Sequence, residues 1–138
     1  MNHYVVMFII MIAAGALSTM NIWVARAEDM RYSLNDLYMI LLMSGWMILF
    51  MGLYYGDRLP AAVGALITAA ALLAIRTQLF VTQEQYLLGM IPHHSMAVTM
   101  SRKLLEKGAG PLTAFVQNII DIQEQEIAAM KQQLKRGS

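Results

Sequence analysis

At 138 residues, 58% hydrophobic and only 14% charged, with a mean hydropathy of +0.51, the chain is too apolar for an ordinary soluble domain, where about a quarter of residues carry charge. A net charge of +1 gives no sign of a nucleic-acid partner, which would need a concentrated basic patch. The absence of cysteine excludes disulfides, zinc–thiolate sites and thiol catalysis, and it leaves thirteen methionines as the conspicuous sulfur.

Tyr4 to Val24 is free of charge and long enough to cross a hydrocarbon core of about 30 Å. It lacks a basic leader, and its apolar run exceeds the roughly 7–15 residues of a signal peptide, so a retained transmembrane helix is expected. Ala14 with Ser18, and Gly15 with Thr19, give the small-residue spacing that lets helices approach closely in lipid. Ala25 to Tyr32, with Arg26, Glu28, Asp29 and Arg31, is expected to be a solvated connection. Ser33 then reads as a helix cap with Asp36 at the third helical position.

A second span is expected over Leu37–Tyr55, with Trp46 packed mid-span and Tyr54 and Tyr55 at an interface. Met39, Met43, Met47 and Met51 recur every four residues and drift only about 40° per step, so they share one broad face. Met7 and Met11 repeat that spacing. Either these sulfurs are adaptable packing between spans, or they form a thioether ladder that handles a metal ion within the membrane. After a tight turn at Gly56–Leu59, a third span is expected over Pro60–Phe80, with Ala61, Ala65 and Ala69 along one side, Gly64 and Thr68 nearby, and Arg76 and Gln78 reaching to the interface.

Thr82-Gln83-Glu84-Gln85 has the form of a capping box. The helix it opens runs to about Lys107 and is expected to be interrupted near Gly89 and Pro92. Gly108-Ala109-Gly110 ends it, and Pro111 opens a last helix to about Lys135. The expected organisation is therefore all-α: a membrane domain over 1–81 with spans at about 4–24, 37–55 and 60–80, then a two-helix antiparallel hairpin over 82–138.

The chemistry concentrates in Met90-Ile91-Pro92-His93-His94-Ser95-Met96-Ala97-Val98-Thr99-Met100. Two of the three histidines in the chain are adjacent here, with methionines on both sides. Residues three and four apart share a helix face, and imidazole with thioether is the donor set of a soft metal, copper first. A methionine stripe is also ordinary core. About a turn at Ala109, Gln123, Glu126, Ile127 and Met130 lie level with this cluster, so a carboxylate and another thioether meet the two imidazoles. Glu126 read blandly is a solvent-facing acid, and Met130 a core residue of the hairpin.

These residues resemble the domain of unknown function 305 family, described as copper-resistance CopM-like, in the paired elements Met90–Ala97 and Gln123-x-x-Glu126-Ile127-x-x-Met130. The hydrophobic front is similar to a membrane-embedded branch with three spans ahead of a short helical domain. The resemblance implies a ferritin-like, copper- or silver-handling domain in a bacterial inner membrane, with the hairpin outside the cytoplasm. Arg26 and Arg31 against the single Arg58 would place it inside. The resemblance carries metal-linked positions over as Met90, His93, His94, Met96, Met100, Glu126 and Met130. A lone hairpin has little core, so dimerisation into a four-helix bundle is expected.

The expected function is capture, buffering or transfer of Cu(I), with Ag(I) as the alternative ion, and not catalysis. The partners are the bilayer, a second copy and a copper-transfer protein. Two other readings are a ferritin-like di-metal oxidoreductase, for which Glu84 and Glu126 are the only inward acids and Glu-x-x-His is missing, and a metal-free assembly module.

Overall fold

The computed structural model describes residues 3–137, which are largely helical, with no strand among them. Five α-helices follow one another: α1 (His3–Leu17), α2 (Leu34–Tyr55), α3 (Arg58–Thr77), α4 (Gln83–Lys107) and α5 (Thr113–Gly137). Three stretches, His3–Trp23, Leu34–Tyr55 and Arg58–Thr77, are long and apolar enough to cross a membrane. The chain divides into two compact units. One comprises residues up to Thr19 with Leu34–Val81, and the other comprises Met20–Ser33 with the chain from Thr82 onward.

In the first unit α2 and α3 form a close antiparallel pair. Gly56, in the left-handed region at φ 74°, makes the turn, and Asp57 N donates to Gly52 O at 2.8 Å. The contact seam is made of small residues. A Cβ on Gly64 would lie 2.3 Å from Leu49 N, and one on Gly52 would lie 2.5 Å from Ala61 N, so the two backbones touch. Small residues at a seam let helix backbones approach this closely.

The buried residues of α3 are Gly64, Thr68, Ala71 and Ala74, whereas Ala65 and Ala69 face outward. The Ala61–Ala65–Ala69 side is thus not the contact seam: a strict four-residue step drifts off a seam that follows 3.6 residues per turn. Gly15 of α1 sits against Ile40, while Ala14 and Ser18 face outward. Tyr4 Oη donates to the Asp57 carboxylate at 2.6 Å, tying the start of α1 to the α2–α3 turn. Trp46 is not enclosed; it stacks on Phe50 on the outer face of α2, at a centroid distance of 5.4 Å. Met39 and Met43 are exposed and Met47 and Met51 half-buried.

The α-helix of the first stretch ends at Leu17, short of the expected Val24, and Met20–Trp23 forms a 3-10 turn. The cause is local. Asn21 is buried and bonds reciprocally with the backbone of Arg31, Nδ2 to Arg31 O at 2.8 Å and Arg31 N to Oδ1 at 2.9 Å, which draws this segment into the following connection.

In the second unit, Thr82 caps α4 by accepting from Gln85 N at 3.3 Å. α4 then runs unbroken through Pro92, contrary to the expected interruption. Proline removes one bond of the ladder, but Ile91, Pro92 and Val98 are all buried, and their packing holds the helix across the gap. Gly108, at φ 92°, ends α4, and α5 starts at Thr113 after a 3-10 turn at Gly110–Leu112. Ile91 and Val98 meet Ile120 and Ile127 in a core flanked by Leu105, Met130, Leu134 and Ala25. The positions recur every seven residues on each helix, as knobs-into-holes packing demands. Each fully buried aliphatic chain contributes about 1.5–3 kcal/mol.

The segment expected to be a solvated connection is exposed at Arg26, Ala27 and Glu28 but packs against this core at Ala25. Asp29 is 1% exposed. Ser95 Oγ donates to Asp29 Oδ2 at 2.7 Å and accepts from Ala25 N at 2.7 Å. Lys131 pairs with Asp29 Oδ1, and also with Glu28 at 3.1 Å. Arg26 and Arg102 both pair with Glu124. Met20–Ser33 is therefore a third layer against the hairpin.

Candidate metal centre

The seam of α4 decides which way its donors face. With Ile91 and Val98 pointing at α5, successive residues turn by about 100°. Ser95 leaves the helix on the flank covered by Met20–Ser33, and His94 leaves it on the opposite, open flank. On α5 the same count separates Lys131 and Glu124, on the covered flank, from Glu126 on the open one.

The outcome is a close pair. His94 Nδ1 lies 3.0 Å from Glu126 Oε2, with the imidazole side chain 13% exposed and the carboxylate 50% exposed. The oxygen is off the line of a good ring N–H bond, so Nδ1 is buried without a hydrogen-bond partner. Burial pushes the His94 pKa below the usual imidazole range; Glu126 opposes that shift and His93 adds to it. His94 is therefore neutral at neutral pH, the form that donates to a metal. The His93 ring is exposed, its centroid 5.9 Å from that of His94 and tilted by 56°.

The other expected donors are distributed differently. Met90 and Met96 are half-buried on α4, and Met100 is 54% exposed. Met130 packs against the hairpin core. Glu84 is exposed at the start of α4. Among the described residues no three His, Asp or Glu side chains converge on a point. Among the described residues, nitrogen and oxygen donors alone therefore do not form a set of three.

Asp29, Ser95, Lys131 and Asn21 were not singled out by sequence reasoning. The one signal available was Ser95, a polar residue on the apolar seam between Ile91 and Val98, which calls for a buried partner.

The model of the family described as "Domain of unknown function (DUF305)" matches residues 57–134, more than half of the chain, and the protein belongs to that family. The match takes in α3 as well as the hairpin. A protein of Acanthamoeba polyphaga mimivirus, named only as uncharacterized, is 39% identical over 138 positions, covering 94% of this chain and 91% of the relative. No solved structure matches.

Proposed function

We propose that the protein is a membrane-embedded carrier of a soft metal ion, Cu(I) first and Ag(I) second, which it captures and buffers or hands on from the C-terminal hairpin. The observation that carries this reading is the neutral, half-buried His94 held beside Glu126, with His93 next to it and Met90 one helical turn before it. His94 is the principal nitrogen donor, and His93 the second. Glu126, 3.0 Å from His94 Nδ1, is placed to accept from that nitrogen once a metal on the other ring nitrogen fixes the tautomer, as carboxylates do for metal-bound histidines. Met90, Met96 and Met100 supply thioether sulfur, which prefers Cu(I) over harder ions. Met130 lies closest to being a packing residue, and its share is decided by the experiment below.

The anchor is a set of three spans, with the hairpin on the extracytoplasmic side. One internal agreement supports the layout. Two candidate spans, α2 and α3, separate Met20–Ser33 from Thr82, so both segments emerge on one side of a bilayer. These are the segments that pack together through Asp29, Ser95 and Lys131. A hairpin with one open flank is half of a four-helix bundle, the architecture in which such sites are built between facing helices.

The test is a Cu(I) competition titration of the full chain in detergent under reducing conditions, with Zn(II) in parallel. The wild type should bind Cu(I) in preference to Zn(II). His93→Ala with His94→Ala should abolish tight binding, and Glu126→Gln should weaken it by about 10–100-fold. Met130→Leu conserves volume and keeps the core within about 1.5 kcal/mol, so any loss it causes reports the sulfur. Binding that survives the double histidine substitution, or no binding by the wild type, overturns the proposal.

A further inference from the structure

One flank of the hairpin is occupied by Met20–Ser33, through Ala25, Asp29 and Arg26. The other is open, and it is the flank that carries His94 and Glu126. Counted at about 100° per residue from the seam, it also presents Leu104 on α4 and Phe115 and Ile122 on α5. These three are 39%, 63% and 43% exposed. This flank has no lysine or arginine, and Glu126 is its only acid, although the hairpin from Thr82 on contains ten other charged residues. A face this poor in charge does not suit an acidic or basic partner. It suits itself: the single acid of each copy can meet a histidine of the other, and no other like charges oppose. Its size fits as well. Two helices of 25 residues are each about 37 Å long and together about 20 Å wide, a footprint of about 750 Å², against the roughly 800 Å² per partner of a stable interface.

The geometry points to a second copy of this chain docking on the open flank, with the soft metal ion held between the two copies at their His94–Glu126 pairs. Three observations combine here: among the described residues no three His, Asp or Glu side chains of one chain converge, His94 Nδ1 is buried without a hydrogen-bond partner although Glu126 lies 3.0 Å away, and the pair lies within the apolar face. A two-fold interface sets the same patch against itself, so each copy contributes the same imidazole and the same nearby thioethers. This rests on the metal-carrying reading above and assigns the ion to the interface.

The experiment measures oligomeric state by light scattering and the Cu(I)-to-chain ratio on the full chain in detergent. The wild type should be a dimer binding one tight Cu(I) per two chains. Phe115→Glu with Ile122→Glu alters only exposed positions, so helix content by circular dichroism should be retained; this variant should be monomeric and lose at least ten-fold in Cu(I) affinity. Gln117→Lys, an exposed change on the side of α5 turned away from this flank, should behave as wild type. A monomeric wild type that binds one Cu(I) per chain overturns the shared site and leaves the carrier reading standing. A dimer that persists in the Phe115/Ile122 variant overturns the docking face. A dimer that binds no Cu(I) overturns the carrier reading and the shared site together.

Discussion

His94 and Ser95 are consecutive, yet they leave α4 on opposite flanks of its seam, and that divergence sets their chemistry. Ser95 is fully buried and bonded on two sides, whereas His94 sets its Nδ1 3.0 Å from a carboxylate on the open flank. The depressed His94 pKa has a consequence for stability. The unfolded imidazole titrates near about 6.5 and the folded one lower. As pH falls below about 6.5 the unfolded state takes up the proton first, so stability present above that pH is lost on the way down through the folded pKa. The thermal midpoint of the metal-free protein should therefore drop between about pH 7 and pH 5 by more in the wild type than in His94→Gln. Superimposable pH profiles for the two proteins would contradict the buried, neutral assignment.

At the scale of elements, the Met20–Ser33 connection is where sequence and structure part. The Thr82 cap, the glycine-bounded turn after Lys107, and the facing of His94 with the Glu126 region were legible, because caps, turns and hairpin register depend on residues close in sequence or counted from one turn. The Asp29–Ser95–Lys131 cluster joins residues 66 and more positions apart, and no local spacing announces it. The same charges that marked the connection as solvated turn out to be its attachment. The division of the methionines between core and surface was illegible for a related reason. Met130 and Met100 have similar chemistry, and only the rotation of each helix about its seam places one inside and the other out.

Burial alone lowers the Lys131 pKa, but its bonds to Asp29 and Glu28 outweigh that and leave it raised, so it is charged. Lys131→Ala would strand the Asp29 carboxylate in the core, a loss of about 3–5 kcal/mol when a buried pair is broken. The connection should then detach and become cleavable by trypsin after Arg26 and Arg31 at a much higher rate. An unchanged digestion rate would show that Asp29 is not what holds it.

For the whole molecule, the division of labour follows from what each unit can bury. The first unit spends small residues on backbone contact between α2 and α3 and leaves its large apolar side chains facing outward, which suits lipid and not water. The second unit has a compact aliphatic seam, a connection clamped to one flank and its charges gathered away from the other, so the donors are left on the open, charge-poor flank. X-ray absorption at the copper edge of the Cu(I)-loaded full chain tests this account most directly, because it reads the atoms bound to the metal. The account predicts a mixed shell in which imidazole nitrogen and thioether sulfur both contribute, with the nitrogen contribution lost in His93→Ala with His94→Ala. A shell of nitrogen and oxygen without sulfur, or of sulfur alone with no change in the histidine variant, would contradict it.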